Sequence, residues 1–479
     1  MKQWVKTIYQ NLPAPVRSWA ASARGYYLRS WRYGPETDRL VEEAFERERW
    51  TQAQWKRWRE ERLQHVLHRA ATQVPYYRAH WEARAKSGDR SSWAILENWP
   101  ILEKETLRRH TAEFLASDCD SRKMFLDNTS GTTGTPLQIY LKQGTIRAWY
   151  ALNEARVRAW SGVSRRDAWG ILGGQMVTPL SQKKPPYWVW NRGMDQLYLS
   201  TFHLTAANAA SYVEALRKHR VRYLLGYTSA LDLLARYVLR LGIRDLRMAV
   251  VITNAEPVYE HQRQTISEAF QCPVRETYGM AEIAAAASEC EQGSLHQWPE
   301  AGWMEVLESN GAPVPPGQAG DLICTGLLND DMPLIRYRVG DRGRLADPDA
   351  RCRCGRSLPL MMGLEGRRND QLIARDGRRV FWLNPTFYGL PVEEAQIVQE
   401  TREQLRVVFV PGPGFSETSA QVVRSRLAHE MGPIEVLLEP VTQVPREPNG
   451  KFRAIVCRIP QEQIEELDRQ EMGSRIAKR

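Results

Sequence analysis

The spacing of apolar positions changes character along the chain, and each change marks a structural element. In residues 1 to 12, Trp4, Val5, Ile8, Tyr9 and Leu12 share one helical face, with Lys2 and Lys6 elsewhere, and Pro13 and Pro15 are expected to close the segment. This basic amphipathic helix and the Arg/Trp/Tyr-rich stretch through Trp31 allow two readings. The helix lies on an anionic membrane surface, or it packs on the main domain; packing is favoured, because aromatic stripes at helical spacing more often form core. Thr51-Gln52-Ala53-Gln54 has the form of a capping box and opens a helix carrying Trp55, Trp58, Leu63, Val66 and Leu67. Residues 1–80 are thus expected to form a helical extension.

Between Met124 and Arg338, short apolar runs alternate with helical patterns. Strands are expected at 168–172, 223–225, 248–253 and 274–277, and helices at 206–217, 229–241 and 258–270. That alternation implies parallel β-sheets covered by helices, a fold in which ligands bind at the carboxyl ends of the strands. After Gly366 the pattern changes to a β-hairpin, 371–374 and 379–383 around Asp376-Gly377, followed by strands at 405–410 and 434–438 and a helix at 417–430. The predicted architecture is α/β. A large N-terminal domain, 1–366, has parallel β-sheets flanked by helices, and a small mobile α+β lid domain occupies 367–479.

One segment breaks this regularity with its own chemistry. From Met124 to Pro136 an apolar run turns into a loop of hydroxyls and glycines, with Thr129, Ser130, Thr132, Thr133 and Thr135 as hydroxyl donors. Gly131 and Gly134 let the backbone approach an anion closely. Such a loop suits phosphate, yet no Gly-Lys-Ser/Thr follows, so it is not a Walker A loop.

Composition narrows the class. At 479 residues the chain is too long for one ordinary core, and two unequal domains fit the order of its motifs. A formal charge of +10 suggests an anionic partner such as nucleotide, CoA or a membrane surface, while no nucleic-acid module is recognisable. The N-terminus has no uninterrupted apolar h-region, and no stretch reaches the ~18 apolar residues of a membrane span. The expected location is cytoplasmic, with the inner face of the membrane as the peripheral alternative. Seven cysteines, an odd number, read as reduced thiols or metal ligands rather than a disulfide framework.

Further motifs follow the hydroxyl loop in a fixed order. They are Thr277-Tyr278-Gly279-Met280-Ala281-Glu282, Pro333 to Asp341 (PLIRYRVGD), Gly366-Arg367-Arg368-Asn369-Asp370 and Gly450-Lys451. With them the chain resembles the adenylate-forming superfamily that includes acyl-CoA synthetases. The narrower likeness is to the phenylacetate-CoA ligase branch, including ligases encoded in capsular-polysaccharide loci. It rests on Glu289-Cys290 with Leu295-His296, and on Cys352-Arg353-Cys354-Gly355-Arg356. The resemblance spans roughly residues 60 to 460.

The resemblance implies ATP-dependent activation of a carboxylic acid, a reaction in which one anion attacks another and charge must be neutralised. Ser130, Gly131, Thr132, Thr133, Gly134 and Thr135 would hold the β- and γ-phosphates, with Thr132 counted among the catalytic residues. Glu282 offers Mg²⁺ a hard oxygen ligand. Tyr278 would stack on adenine, Ala255-Glu256-Pro257 would line the other side of the base, and Glu276 would meet the exocyclic amine. Thr277, Gly279 and Met280 complete that wall. Asp341 would take the ribose hydroxyls, and Arg367 would reach ribose and phosphate. Lys451 would bring its ammonium between the carboxylate and the α-phosphate, with closure about 366–370. Asn369 stands where relatives often carry aspartate.

Cys290, His296, Cys352 and Cys354 could complete a closed tetrahedral Cys₃His site, and similar residues in this branch are associated with structural Zn²⁺. Four reduced, unliganded side chains remain the alternative. The expected activity is formation of an acyl-adenylate and then an acyl-CoA thioester. The partners are ATP, Mg²⁺, a small carboxylic acid and CoA. An amine acceptor giving an amide, adenylylation of another molecule, and a non-catalytic membrane-associated scaffold stand as alternatives; the oligomeric state is open. Trp149, Tyr150, Gly173-Gly174 and Tyr227-Thr228 are the candidate acyl pocket, whose aromatic character favours an aryl or arylacetic acid.

Overall fold

The structure is a computed structural model that describes residues 8–128, 137–367, 372–374, 379–380, 384–387, 389–446, 452–460 and 463. Helix Ala14–Arg32 is followed by Thr37–Arg47, Gln52–Gln73 and Pro75–Lys86. The helical stretch 8–11 stops ahead of Pro13, as the sequence predicts, and a new helix opens at once, with Pro13 at the N-cap of Ala14–Arg32 and Pro15 in its first turn. Proline costs nothing in a first turn, where its missing N–H has no partner to lose. The box at Thr51 forms as read. Gln54 N–H donates to the Thr51 hydroxyl, and Thr51 N–H donates to Gln54 Oε1 at 2.8 Å.

The chain divides into two compact units, residues 1–339 with 343–364, and 340–342 with 365–479. A twelve-stranded sheet dominates the first part of the chain. Its order is Gly302–Leu307, Gly320–Gly326, Tyr337–Leu345, Leu360–Arg367, Leu295–Gln297, Ala286–Glu289, Val274–Gly279, Val250–Asn254, Tyr223–Tyr227, Trp169–Gly173, Gln196–Ser200 and Trp188–Asn191. The five strands from Val274–Gly279 to Gln196–Ser200 are mutually parallel. Trp188–Asn191 closes one edge antiparallel, and Ala286–Glu289 begins an antiparallel extension on the other side.

The parallel strands are near-continuous apolar runs because both faces are covered. Helices Ala209–Lys218, Thr228–Arg240 and Glu260–Phe270 bury Leu216, Leu231, Leu234, Val238, Ile266 and Phe270 against Leu224, Val251 and Val274. From Trp169–Gly173 the chain moves one way to Gln196–Ser200 and then returns to add Tyr223–Tyr227 on the other side. This reversal places a crevice at the carboxyl ends of the central strands, at Gly173, Tyr227 and Asn254.

In the second unit, Val392–Gln399, Gln404–Pro411, Glu435–Pro440 and Ile455–Cys457 form a four-stranded sheet packed on helix Glu417–Met431 through Val407, Phe409, Val423 and Leu427. Short strands Leu372–Ile373 and Arg379–Val380 pair antiparallel, and the Gln399 amide both donates to and accepts from the Ile373 backbone at 2.8 Å. Among the described residues no helix is long and apolar enough to cross a membrane.

Candidate functional site

The hydroxyl-rich segment is carried by a two-stranded hairpin. Phe125–Asn128 pairs antiparallel with Gln138–Leu141, and residues 129–136, which join them, lie outside the described residues together with Ser130 to Thr135 and Lys451. Asp127, one residue before the end of the first strand, is a site residue that sequence reasoning missed. Burial holds its carboxyl above the usual range, and the Glu282 charge adds to this against Arg32 and Arg24.

The tyrosine motif lies on Val274–Gly279, beside the carboxyl end of Val250–Asn254. Thr277 Oγ1 donates to Thr253 O at 2.8 Å, so the two strand ends are locked together. Tyr278 is buried, and the open face of Gly279 is 3.7 Å from the Trp149 indole, measured from where a Cβ would stand. Ala255 has φ of 62°, a left-handed turn that lifts the backbone of 255–257 over the strand end. The Glu256 side chain is committed elsewhere: its carboxylate accepts Ser229 N–H at 2.8 Å, in the first turn of Thr228–Arg240. Asn254 Oδ1 is buried with no hydrogen-bond partner among the described residues, as expected where a polar ligand completes the wall. The Glu276 carboxyl is pushed up to about 7 by burial, with Glu289 adding repulsion.

Glu282 is buried, and its Oε1 accepts from Lys104 Nζ at 3.1 Å and from Tyr337 Oη at 2.9 Å. Neither partner was found from sequence. Lys104 reaches it because Leu102 bridges Tyr337 in parallel, with Leu102 N–H on Arg336 O and Arg338 N–H on Leu102 O. These partners are 178 and 55 residues from Glu282 in sequence, and although Tyr337 stands within PLIRYRVGD, no local pattern shows that either residue meets Glu282. Asp341 lies on Tyr337–Leu345 after Gly340, in the second unit; Arg367 ends Leu360–Arg367, its side chain outside the described residues.

The acyl-pocket candidates spread along the same strand ends. Trp149 packs on Trp298, Tyr198 Oη accepts Gln175 N–H beside Gly173, and Thr228 Oγ1 donates to Glu256 O. Tyr150 is framed by the N-terminal helix region, with the Arg32 guanidinium 4.5 Å from its ring centre and Tyr33 edge-on at 5.9 Å. The Tyr33 hydroxyl is buried without a hydrogen-bond partner among the described residues.

The four metal-ligand candidates converge. The ligand atoms of Cys290, His296, Cys352 and Cys354 all lie within 4.8 Å of one another. Cys290 and His296 flank a tight turn between two antiparallel strands, closed by Gly293, and Cys352 and Cys354 arrive on the loop before Leu360–Arg367. The Cys290–Cys352 Sγ separation is 3.7 Å, and Cys354 Sγ is 3.4 Å from His296 Nε2. A tetrahedron with Zn–S of about 2.3 Å and Zn–N of about 2.0 Å has edges of roughly 3.8 and 3.5 Å. The donor set therefore fits zinc.

His296 Nδ1 donates to Leu358 O at 3.2 Å, leaving Nε2 as the lone-pair nitrogen facing the thiols. Burial pulls this imidazole down to about 4, so it is neutral at pH 7, and burial pushes the Cys290 thiol up to about 12. Burial also opposes ionisation of Cys352, but hydrogen bonds from Ser294, Cys354 and Cys290 outweigh it and hold this thiol below its usual range. Arg356 stands beside them, bonded to Glu48 and Glu291 and stacked on Trp160 at 4.4 Å. Its charge offsets that of ionised thiolates.

The AMP-binding enzyme family matches residues 55–328, more than half the chain, and the CapK C-terminal domain matches 372–458. The chain belongs to the AMP-binding enzyme family. Within it, its place is the branch that holds CapK and the phenylacetate-CoA ligases. It is 25% identical to Protein CapK of Staphylococcus aureus over 391 residues, 78% of this chain and 82% of that protein. It is also 25% identical to phenylacetate-coenzyme A ligase of Thermus thermophilus over 438 residues, 83% of this chain and 95% of that one. The fold matches 2-hydroxyisobutyryl-CoA ligase solved in the postadenylation state, with a TM-score of 0.64, 21% identity, and coverage of 89% and 94% of the two chains.

Proposed function

We propose that the protein is an AMP-forming acid–CoA ligase. A substrate carboxylate oxygen attacks the α-phosphorus of ATP, pyrophosphate leaves, and the acyl-adenylate forms; the CoA sulfur then attacks the acyl carbon and AMP leaves. The observation that carries this reading is the family match across the strands that build the nucleotide wall, with Tyr278, the 255–257 turn and Glu276 gathered at their carboxyl ends. The CoA-ligase relatives favour CoA as acceptor over the amide-forming, adenylylating and scaffold alternatives.

Tyr278 packs against one face of adenine, and the backbone of 255–257 closes the other. Glu276, once ionised, accepts from the exocyclic amine, and Asn254 Oδ1 supplies a second acceptor. Glu282 would be the protein ligand of a magnesium ion, which would supply charge neutralisation at the phosphates, and Lys104 and Tyr337 hold its carboxylate through Oε1. On sequence grounds Ser130 to Thr135 hold the β- and γ-phosphates, Asp341 takes the ribose hydroxyls, Arg367 reaches ribose and phosphate, and Lys451 neutralises charge during adenylation. Zinc, held by Cys290, His296, Cys352 and Cys354, is structural: four protein ligands leave no open position for substrate.

The aromatic surroundings of Trp149, Tyr150 and Tyr198 support an aryl or arylacetic acid. Carboxylate-dependent ATP–pyrophosphate exchange over an acid panel tests the reading. AMP release with CoA against amine acceptors then identifies the second step. Absence of exchange with every acid sinks the proposal.

A further inference from the structure

Helix Ala14–Arg32 has two faces with different fates. The inner face is sealed against the edge strand Trp188–Asn191 and the turn after it: a Cβ on Gly193 would come within 2.4 Å of Tyr26 N, and Ser22 Oγ accepts Arg192 N–H at 3.0 Å. The loop following Gly173 is tied to the same helix through Arg17 Nη2 to Gln182 Oε1, and to the segment before it through Tyr9 Oη to Val177 O. With its fold contacts made on that side, the helix does not need an apolar outer face.

It has one nevertheless. Val16, Trp19, Ala23, Tyr26 and Tyr27 recur at helical spacing on the exposed side, Trp19 being 80% and Tyr26 55% accessible. Ile8, 55% accessible, precedes them, and Leu180, 58% accessible, joins them from the tied loop. Eleven large apolar side chains are exposed among the described residues, and six of them belong to this helix region and loop. Scattered exposed hydrophobics need no explanation, but a concentration of this kind does.

The surrounding charge has one sign. Residues 1–35 contain Lys2, Lys6, Arg17, Arg24, Arg29 and Arg32 and no acidic residue, and residues 168–194 contain Lys183, Lys184 and Arg192 and likewise none. Arg24, Arg29, Lys183 and Lys184 are exposed around the apolar stripe. Tryptophan and tyrosine side chains are at home at the level of lipid headgroups, and a basic rim complements anionic ones.

We infer that this face is a peripheral docking surface for an anionic lipid bilayer, with Trp19, Tyr26 and Tyr27 entering the headgroup layer and Arg24, Lys183 and Lys184 meeting lipid phosphates. The packing and membrane readings of the sequence were made for residues 1–12, of which 1–7 lie outside the described residues. The docking holds the ligase at a membrane without a spanning segment, so an acid or acceptor partitioned into lipid reaches it by lateral diffusion.

The test is co-sedimentation of the full chain with vesicles of phosphatidylcholine mixed with phosphatidylglycerol, against vesicles of phosphatidylcholine alone. Binding to the anionic vesicles, weakened by salt, is expected. Lys183→Glu with Lys184→Glu should weaken it by about 30-fold or more, at ~1 kcal/mol for each basic residue. Trp19→Glu, at an accessible position outside the nucleotide and metal sites, should abolish most binding while leaving the melting temperature unchanged. Equal binding to both vesicle types, no binding, or unaltered binding by Trp19→Glu would overturn the inference. A dimer in size-exclusion chromatography that Trp19→Glu dissolves would overturn it too, making this face an interface between copies.

Discussion

Replacing Cys352 with serine, or stripping metal with a chelator, should lower stability by an amount the geometry sets. With zinc bound, the 290–296 turn and the 352–354 loop form one cross-link, and the chain between Cys290 and Cys352 is a closed loop of 62 residues. Closing a loop of that length removes about 14 cal/mol/K from the unfolded ensemble, or about 4 kcal/mol at 25 °C, by the relation that describes disulfides. A unit of this size gains roughly 0.75 kcal/mol/K of entropy on melting, which converts the loss to a fall of about 5–6 °C. Calorimetry of metal-replete and chelated protein measures the shift, and elemental analysis of protein purified without chelator counts the ion. Replacement of zinc by cobalt should add thiolate-to-metal charge-transfer absorption, lost in the serine variant. Less than half an equivalent of zinc, or melting curves that coincide with and without chelator, would refute the reasoning.

Lys451→Ala should depress ATP–pyrophosphate exchange far more than ATP binding measured by calorimetry, because its charge acts mainly as adenylation proceeds; equal losses would remove it from that role. Glu276 keeps in the folded state a proton that the unfolded chain releases near 4.5, so its contribution to stability falls as pH rises from about 4.5 to about 7, then levels off. Glu276→Gln should lack that decline in denaturant titrations, and wild-type ATP affinity should rise through pH about 7 where the variant's stays flat; parallel profiles would exclude the assignment. Arg156, fully buried, grips Glu300 with two bonds of 2.6 Å, so Arg156→Ala leaves that buried carboxylate with only Arg47 at 3.8 Å and should cost about 3–5 kcal/mol in denaturant unfolding, whereas a loss within 1 kcal/mol would mean that Arg47 or water replaces the guanidinium.

The parallel half of the sheet was legible because burial on both faces writes itself locally. Runs such as Leu224-Leu225 and Val250-Val251-Ile252 are apolar at every position, and the helices between them carry their own period. The antiparallel extension was not legible. Ala286–Glu289 and Leu295–Gln297 are short and buried throughout, so they lack the alternation that marks a half-exposed strand, and their pairing depends on Leu360–Arg367 far away. In the second unit Val392–Gln399 escaped notice because Glu393 and Glu394 interrupt its apolar pattern, whereas its hairpin partner Gln404–Pro411 was found.

The candidate site divides along the same line. Tyr278, Glu282, Cys290 and His296 stand in compact motifs, because each motif marks a strand end or a tight turn where backbone geometry and side-chain chemistry are set together. Lys104, Asp127, Arg32 and Tyr33 belong to no such motif, and Tyr337, though it stands within PLIRYRVGD, shows no link to Glu282 in that motif: these contacts exist only once Leu102 lies along Tyr337 or the N-terminal helix lies on its edge strand. The N-terminal pair has a functional consequence. Arg32 and Tyr33 border Tyr150 while the same helix turns Trp19 and Tyr26 outward, so one element connects the candidate acyl pocket with the exposed apolar face. With Tyr150 in the proposed acyl pocket, sequences that share the nucleotide-binding motifs but differ before residue 35 should differ in the acids they accept.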